Sequence, residues 1–312
     1  MTFHDERRLL IKVAHMYYEE GATQSTIAEA VGVSRSLISK YLAKAREAGI
    51  VEIIIHDEVN QQYGSLERKI ERKFGLREVV CVESLSQEAT KNRIGAAAAG
   101  FLLKVIKDGQ VIGFSSGTTL HEMAKAMTSV QHFPSVTFVP LVGGVGNEDV
   151  DIHANYIVGR CAEALKSKCE FLHVPVMLDT KEGKEVLIRQ PSIQKVIELG
   201  ERSNIAVVGI GGVPQHSTMV KSYMTSGEED ILQAEDVAGD ICYNFIDHNG
   251  QVYPHPWNDR VMGISPQKLK EIPLVIGVAG GEEKIEAIRA VLEGGLIHVL
   301  ITDEQTGDAL LN

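Results

Sequence analysis

The residues best suited to chemistry lie in four glycine-rich stretches. Ser115-Ser116-Gly117-Thr118-Thr119 follows an apolar run that ends at Phe114 and precedes a helical pattern. Backbone N–H groups at a helix start, joined by hydroxyls, make a phosphate cradle. Gly143-Gly144-Val145-Gly146 follows Leu141, and Gly211-Gly212 follows Ile210. Ala279-Gly280-Gly281-Glu282-Glu283-Lys284 follows Val278, with Lys284 in the first turn of its helix and within reach of a phosphate. One such turn says little, because short turns favour glycine. Four at strand ends point to a small-molecule pocket. No complete GxGxxG or GxxxxGK[ST] fingerprint accompanies them.

The same region admits enzymatic alternatives. Gly113-Phe114-Ser115-Ser116-Gly117 fits the GxSxG nucleophile elbow, with Asp240 and His298 downstream to complete a triad. Thr118-Thr119 suits phosphate better than acyl transfer. Asp240 is also a candidate general base. His121, His153, His248, His255 and His298 show no HExxH or other close metal spacing, so each reads as a surface or hydrogen-bonded side chain. No metal and no cofactor are expected. Trp257, in Tyr253-Pro-His-Pro-Trp257, fits a pocket wall or a packed loop.

A second group has chemistry for nucleic acid. Ser34–Arg46 holds four basic residues, Arg35, Lys40, Lys44 and Arg46, and no acidic one. At helical spacing, Leu37, Ile38, Tyr41, Leu42 and Ala45 share one sector. Arg35, Ser36, Ser39, Ala43 and Arg46 fall opposite, with Lys40 and Lys44 at the edge. Ser36 and Ser39 are small enough for close approach to bases. Arg35 suits a bidentate guanine contact, and the lysines suit phosphates.

These residues need particular elements to position them. Residues 5–19 read as an amphipathic helix that ends at Gly21. A short helix opens at Thr23 or Gln24, with Ile27, Ala28 and Val31 inward. Gly32 makes a turn and Ser34 caps a third helix. The spacing Gln24-x-x-Ile27-Ala28-x-x-Val31-Gly32-Val33-Ser34 is that of a helix-turn-helix, with Gln24 placed to touch a phosphate. Ile50–Ile55 reads as a strand, either a wing or a connector. Val59, Tyr63, Leu66, Ile70 and Phe74 form a narrow stripe on a charged helix. It serves either to pack on the next domain or to form a dimer.

Beyond residue 76, apolar strands alternate with helices. The strands are expected at 78–82, 110–114, 136–141, 170–174, 205–210, 241–246, 274–278 and 297–302. Helices are expected at 87–106, 119–127, 151–165, 192–202 and 282–293. Continuously apolar runs such as LVIGV mark a sheet buried on both faces. The alternation predicts an α/β fold with a doubly wound, mainly parallel sheet whose ligands bind beyond the strand carboxyl ends. The expected organisation is a helix-turn-helix domain over 1–56, a linker or oligomerisation helix over 57–75 and an effector domain over 76–312.

Charge follows this division. The 312 residues carry a net −11, which taken whole disfavours nucleic acid. Residues 1–50 carry 7 basic and 6 acidic residues (+1), leaving 24 and 36 (−12) for the remainder. The acidity therefore belongs to the second part. Four cysteines without CxxC or zinc spacing, no signal-peptide pattern and no membrane-length apolar run predict a reduced cytoplasmic protein with no membrane partner.

Over essentially its whole length the chain resembles the SorC/DeoR-type sugar-responsive transcription regulators. The likeness rests on LLIKVAHMYYEEGATQSTIAEAVGVSRSLISKYLAKAREAGIVEI, then FGLREVVCV, IGFSSGTTL, VPLVGG, HANYIVGRCAE, VVGIGG, VAGDICYNFIDHNG and AGGEEKIEAI, in family order. The resemblance implies a winged-helix-like head on operator DNA. It also implies an effector domain related to sugar-phosphate isomerases and deaminases, assembly as a homo-oligomer (dimer or tetramer) and control by a phosphorylated sugar. The alternative is an isomerase- or deaminase-like enzyme that kept its chemistry, with Asp240 as the general base over the sugar. Repression is the expected mode, with activation open. It places Gly117, Thr118 and Thr119 in the phosphate loop, and Asp240 and Lys284 at effector-binding positions. Gly143, Gly144 and Asn155 would line the same cavity. Some members carry a cation just before the paired glycines, in one case a Schiff-base lysine. Val142 stands there, which implies noncovalent binding. His153 stands where certain members have Gln, which implies a different hydroxyl pattern.

Overall fold

The computed structural model describes residues 3–51, 63–128, 131–144, 150–217, 223, 224, 231 and 234–312. The chain divides into two compact units, Met1–Gln61 and Gln62–Asn312. No described helix is long and apolar enough to cross a membrane.

The first unit holds three helices: α1 (Phe3–Tyr18), α2 (Gln24–Val31) and α3 (Arg35–Glu47). Thr23 caps α2 by accepting from the Thr26 N–H. Ser34 caps α3 by accepting from the Leu37 N–H at 3.3 Å. Gly32 ends α2 at φ +75°, a conformation that other residues adopt at a cost, so the tight turn depends on glycine. Val13, Ile27, Ala28, Ile38 and Leu42 form the core. Of the expected strand 50–55, only Ile50 and Val51 are described and neither is in a strand. Residues 52–55, and Val59 of the apolar stripe, lie outside the described residues.

The second unit begins with α4 (Gly64–Phe74), β1 (Glu78–Val82), α5 (Gln87–Val105), β2 (Val111–Phe114), α6 (Thr118–Ala126), β3 (Thr137–Pro140), α7 (Ala154–Leu165) and β4 (Lys168–Cys169). It continues with α8 (Lys181–Ile188), α9 (Pro191–Glu201), β5 (Ile205–Gly211), β6 (Val237–Ile241) and β7 (Asn244–Asp247). Short α10 (Pro256–Arg260) and α11 (Pro266–Lys270) precede β8 (Leu274–Val278), α12 (Ile285–Glu293), β9 (Val299–Asp303) and α13 (Glu304–Leu311). The strands run in the order β1-β9-β8-β5-β2-β3-β4, and every neighbouring pair is parallel. The fold is α/β with a mainly parallel sheet, as its sequence predicts.

Alternate residues of the central strands feed two cores. Ile205 and Val207 of β5 face a cluster with α5, α6 and α7, which contains Leu102, Met123 and Ile157. Ala206, Val208 and Ile210 face the other cluster, with Ile288 and Val291 of α12. This two-sided burial is what the unbroken apolar runs encode.

The stripe on α4 packs within its own unit. Ile70 is fully buried there, with Tyr63, Leu66 and Phe74 against the same core. The Glu67 and Glu71 carboxylates accept from the N–H groups of Cys81 and Val79 at 2.9 and 3.0 Å. They satisfy an edge of β1 that no strand pairs among the described residues. α4 therefore packs as part of the second unit.

Two strand expectations are corrected. The run 241–246 is not one strand: Ile241 ends β6, Cys242 and Tyr243 form a turn at φ +50° and +65°, and Asn244 begins β7. β6 also pairs antiparallel with the end of β5. Residues 170–174 form no ladder strand. Here the Leu172 N–H donates to the Asn155 side chain, and the Val174 carbonyl accepts from the Gly144 N–H.

Candidate functional site

On α3, Arg35, Ser36, Ser39, Lys40, Lys44 and Arg46 are exposed, opposite buried Ile38, Leu42 and Ala45. The Ser34 hydroxyl is engaged by the Leu37 N–H and by the Ser36 hydroxyl, so its local work is capping. Gln24 is the first residue of α2 and is half-buried. This is a cationic face with small hydroxyl residues, mounted on a rigid three-helix frame.

In the second unit, the carboxyl ends of β2, β5, β8 and β9 and the β6–β7 turn surround a cleft of about 1260 Å³. Ten of the expected effector residues line it: Ser116, Gly117, Thr118, Thr119, His153, Gly211, Gly212, Asp240, Gly281 and Lys284. Thr118 and Thr119 open α6, whose first turn holds no acidic residue. The macrodipole there favours an anion. Gly117 precedes them at φ +134°, and its N–H donates to the Ile152 carbonyl.

Gly211 and Gly212 are required for clearance. Gly211 pairs with Asp240 across β5 and β6, and a Cβ on Gly211 would collide with the Asp240 carboxylate. A Cβ on Gly212 would lie 2.7 Å from the Glu283 carbonyl oxygen. Glycine here allows two walls of the cleft to touch.

Asp240 is 8 % exposed. Burial pushes its carboxyl up to about 7, against the opposing pull of Lys284 and of the Tyr243 backbone N–H. Burial likewise pulls the Lys284 ammonium down, and Asp240 offsets part of that. The two groups oppose each other's burial shifts, each favouring the charged form of the other.

Gly143, Gly144 and Asn155 stand apart from the described lining. The Asn155 amide donates to the Gly144 and Leu172 carbonyls and accepts from the Leu172 N–H. Gly143 packs so closely on Pro175 that a Cβ would meet its carbonyl oxygen at 2.6 Å. Their local roles are structural. Val142 is fully buried in the core and bridges to Gly263.

Several lining residues carry no motif in the sequence. Asp303, at the end of β9, accepts from Ser84 Oγ, Thr306 Oγ1, the Thr306 N–H and the Gly281 N–H. Burial raises its carboxyl, but these hydrogen bonds outweigh burial and hold it below the usual carboxylate range. Tyr243 and Tyr223 add aromatic rings to the wall, 6.1 Å apart and edge-on. An aromatic residue directly after Asp-Ile-Cys was the available signal for Tyr243.

The hydrolase triad does not assemble. The Ser115 hydroxyl accepts from the Gly209 N–H at 3.1 Å and is 2 % exposed. His298 precedes β9, at the opposite end of the parallel sheet, and bonds the Val275 N–H. Trp257 is fully buried and donates to the Tyr243 carbonyl, so it packs the loop and does not wall the cleft. All four cysteines are free, and burial raises the thiols of Cys81, Cys161 and Cys242, which leaves them inert.

Residues 60–312 match the family model described as "Putative sugar-binding domain". The sorbitol operon regulator of Klebsiella pneumoniae is 31 % identical over 98 % of this chain and 98 % of its own length. Its full-length crystal structure matches with a TM-score of 0.73, again over 98 % of both chains. The deoxyribonucleoside regulator of Bacillus subtilis is also 31 % identical, over 99 % of this chain and 98 % of that protein. The transcriptional regulator LsrR of Escherichia coli K12 is 30 % identical over 98 % and 95 %. These relatives are regulators of transcription and not enzymes, so the isomerase or deaminase alternative is set aside. With a cationic helix-turn-helix face on one unit and a ligand cleft in the other, the chain belongs to the SorC/DeoR-type family of sugar-binding transcriptional regulators.

Proposed function

We propose that the cleft binds a phosphorylated sugar noncovalently and that binding changes the affinity of the head for operator DNA. One observation carries this reading: the α6 start and the Asp240–Lys284 pair line the same cleft. The N–H groups and hydroxyls of Thr118 and Thr119 take the phosphate, beside Ser116, whose hydroxyl proton goes to Tyr243. Lys284 adds a cation, Asp240 accepts from sugar hydroxyls, and His153 contributes to the hydroxyl pattern. Val142 supplies no amine, so nothing at that position forms a covalent link. The α3 helix enters the major groove with Arg35, Ser36 and Ser39 toward base edges, and Gln24, Lys40 and Lys44 toward phosphates. A homo-oligomer presents two heads to a two-fold operator. The ligand acts by favouring one arrangement of them.

The test pairs a thermal-shift panel of phosphorylated sugars and polyols with operator binding by fluorescence anisotropy. A ligand of the folded form raises the melting temperature. Lys284→Ala is expected to keep operator affinity and to lose the response to the ligand. An unchanged response removes this cleft from the mechanism.

A further inference from the structure

The turn that joins β6 to β7 contains two consecutive non-glycine residues with positive φ, Cys242 at +50° and Tyr243 at +65°. A two-residue hairpin turn of this kind normally uses Asn-Gly or Asp-Gly, because each other residue there is strained. The surroundings hold the strained turn in place. The Asn244 side-chain amide donates to the Cys242 carbonyl at 2.9 Å and to the Ile264 carbonyl at 3.1 Å. The Trp257 indole N–H donates to the Tyr243 carbonyl at 3.0 Å. Backbone strain kept by such dedicated supports points to a side chain that must stand in one place.

That side chain is Tyr243, which lines the cleft two residues after the end of β6 and three after Asp240. Its hydroxyl oxygen accepts a hydrogen bond from Ser116 Oγ at 2.8 Å. Ser116 belongs to the loop that leads into the α6 start. With Ser116 as donor, the proton on the Tyr243 hydroxyl is left for another acceptor. Among the described residues, none takes it. A phenol on an aromatic body is rigid and brings a directed donor at small entropic cost.

We propose that Tyr243 is a ligand-reading residue: its hydroxyl donates to an oxygen of the bound molecule lying between the phosphate at the α6 start and the group held by Asp240. The ligand class this selects has an acceptor oxygen close to its phosphate, such as the ester oxygen or the neighbouring hydroxyl of a sugar or polyol phosphate. Inorganic phosphate does not offer this span. The inference rests on the binding reading above and adds a determinant that separates sugar phosphate from phosphate alone.

Tyr243→Phe removes the hydroxyl and keeps the ring. Isothermal titration with the panel member giving the largest thermal shift, alongside inorganic phosphate, reads the difference. The expected result is roughly tenfold weaker sugar-phosphate binding, the worth of one hydrogen bond to a polar ligand, with inorganic phosphate unaffected. Near-ultraviolet difference spectra supply a second readout. Ligand binding to the parent protein perturbs a tyrosine band, and Tyr243→Phe lacks that perturbation while its ligand-free melting temperature is kept. Equal sugar-phosphate affinity in both proteins overturns the role of Tyr243 and leaves the binding reading standing. Equal losses for inorganic phosphate and sugar phosphate also overturn it, since they mark a general distortion of the cleft. No response of the parent protein to any panel member overturns the binding reading and this inference together.

Discussion

On α3, residues facing the core and residues facing solvent alternate within thirteen positions, and both roles are set by one helical period. The cleft of the second unit instead gathers its lining from Ser84 to Ala309, across strand ends that are distant in sequence. A local site can be damaged one contact at a time. A collected site depends on the loops that bring its parts together. This difference predicts how each unit should fail.

The largest effect is expected from Ile38→Asp. Ile38 is fully buried in the small head, and an unpaired carboxylate there should cost about 4 kcal/mol or more. Operator binding should vanish, while the effector unit keeps its ligand-induced thermal shift. Loss of both would break the separation of the two units.

Asp240→Asn probes the collected site through pH. Burial pushes the Asp240 carboxyl from its ordinary 3.8 up to about 7, so between these values the native state holds a proton that the unfolded chain has released. Stability from this group is full below 3.8 and falls as pH rises through about 7. Denaturant melts of both proteins across that range should show a steeper decline in the parent than in Asp240→Asn. Parallel curves would mean that the carboxyl is solvated like an ordinary one.

Arg35→Ala sharpens the comparison at the local end. A bidentate base contact predicts a loss of about 1–3 kcal/mol on specific operator, with little change on unrelated DNA. Equal losses on both would reduce Arg35 to a phosphate contact.

The same difference explains what sequence reasoning could reach. The head was legible to its caps, because Thr23, Gly32 and Ser34 each act on neighbours a few residues away. The parallel sheet was legible from apolar runs. The β6–β7 turn was not, because Cys-Tyr is a poor turn signal, and its supports reach it from Ile264, through the Asn244 amide, and from Trp257. Asp303 was invisible for the same reason: its hydrogen-bond donors come from Ser84, Gly281 and Thr306. The four glycine-rich stretches pointed to a pocket without separating their roles. Gly211 clears space for Asp240, whereas Gly143 packs against Pro175.

Asp303 and Asp240 stand in one cleft and are displaced in opposite directions. On acidification Asp240 is neutralised first, while Asp303 stays anionic and continues to anchor Gly281. The cleft then changes its charge before it changes its outline. A mildly acidic medium would thus give a receptor with an intact mould and an altered complement of charge, so that any change in effector preference would come from electrostatics on a preserved template.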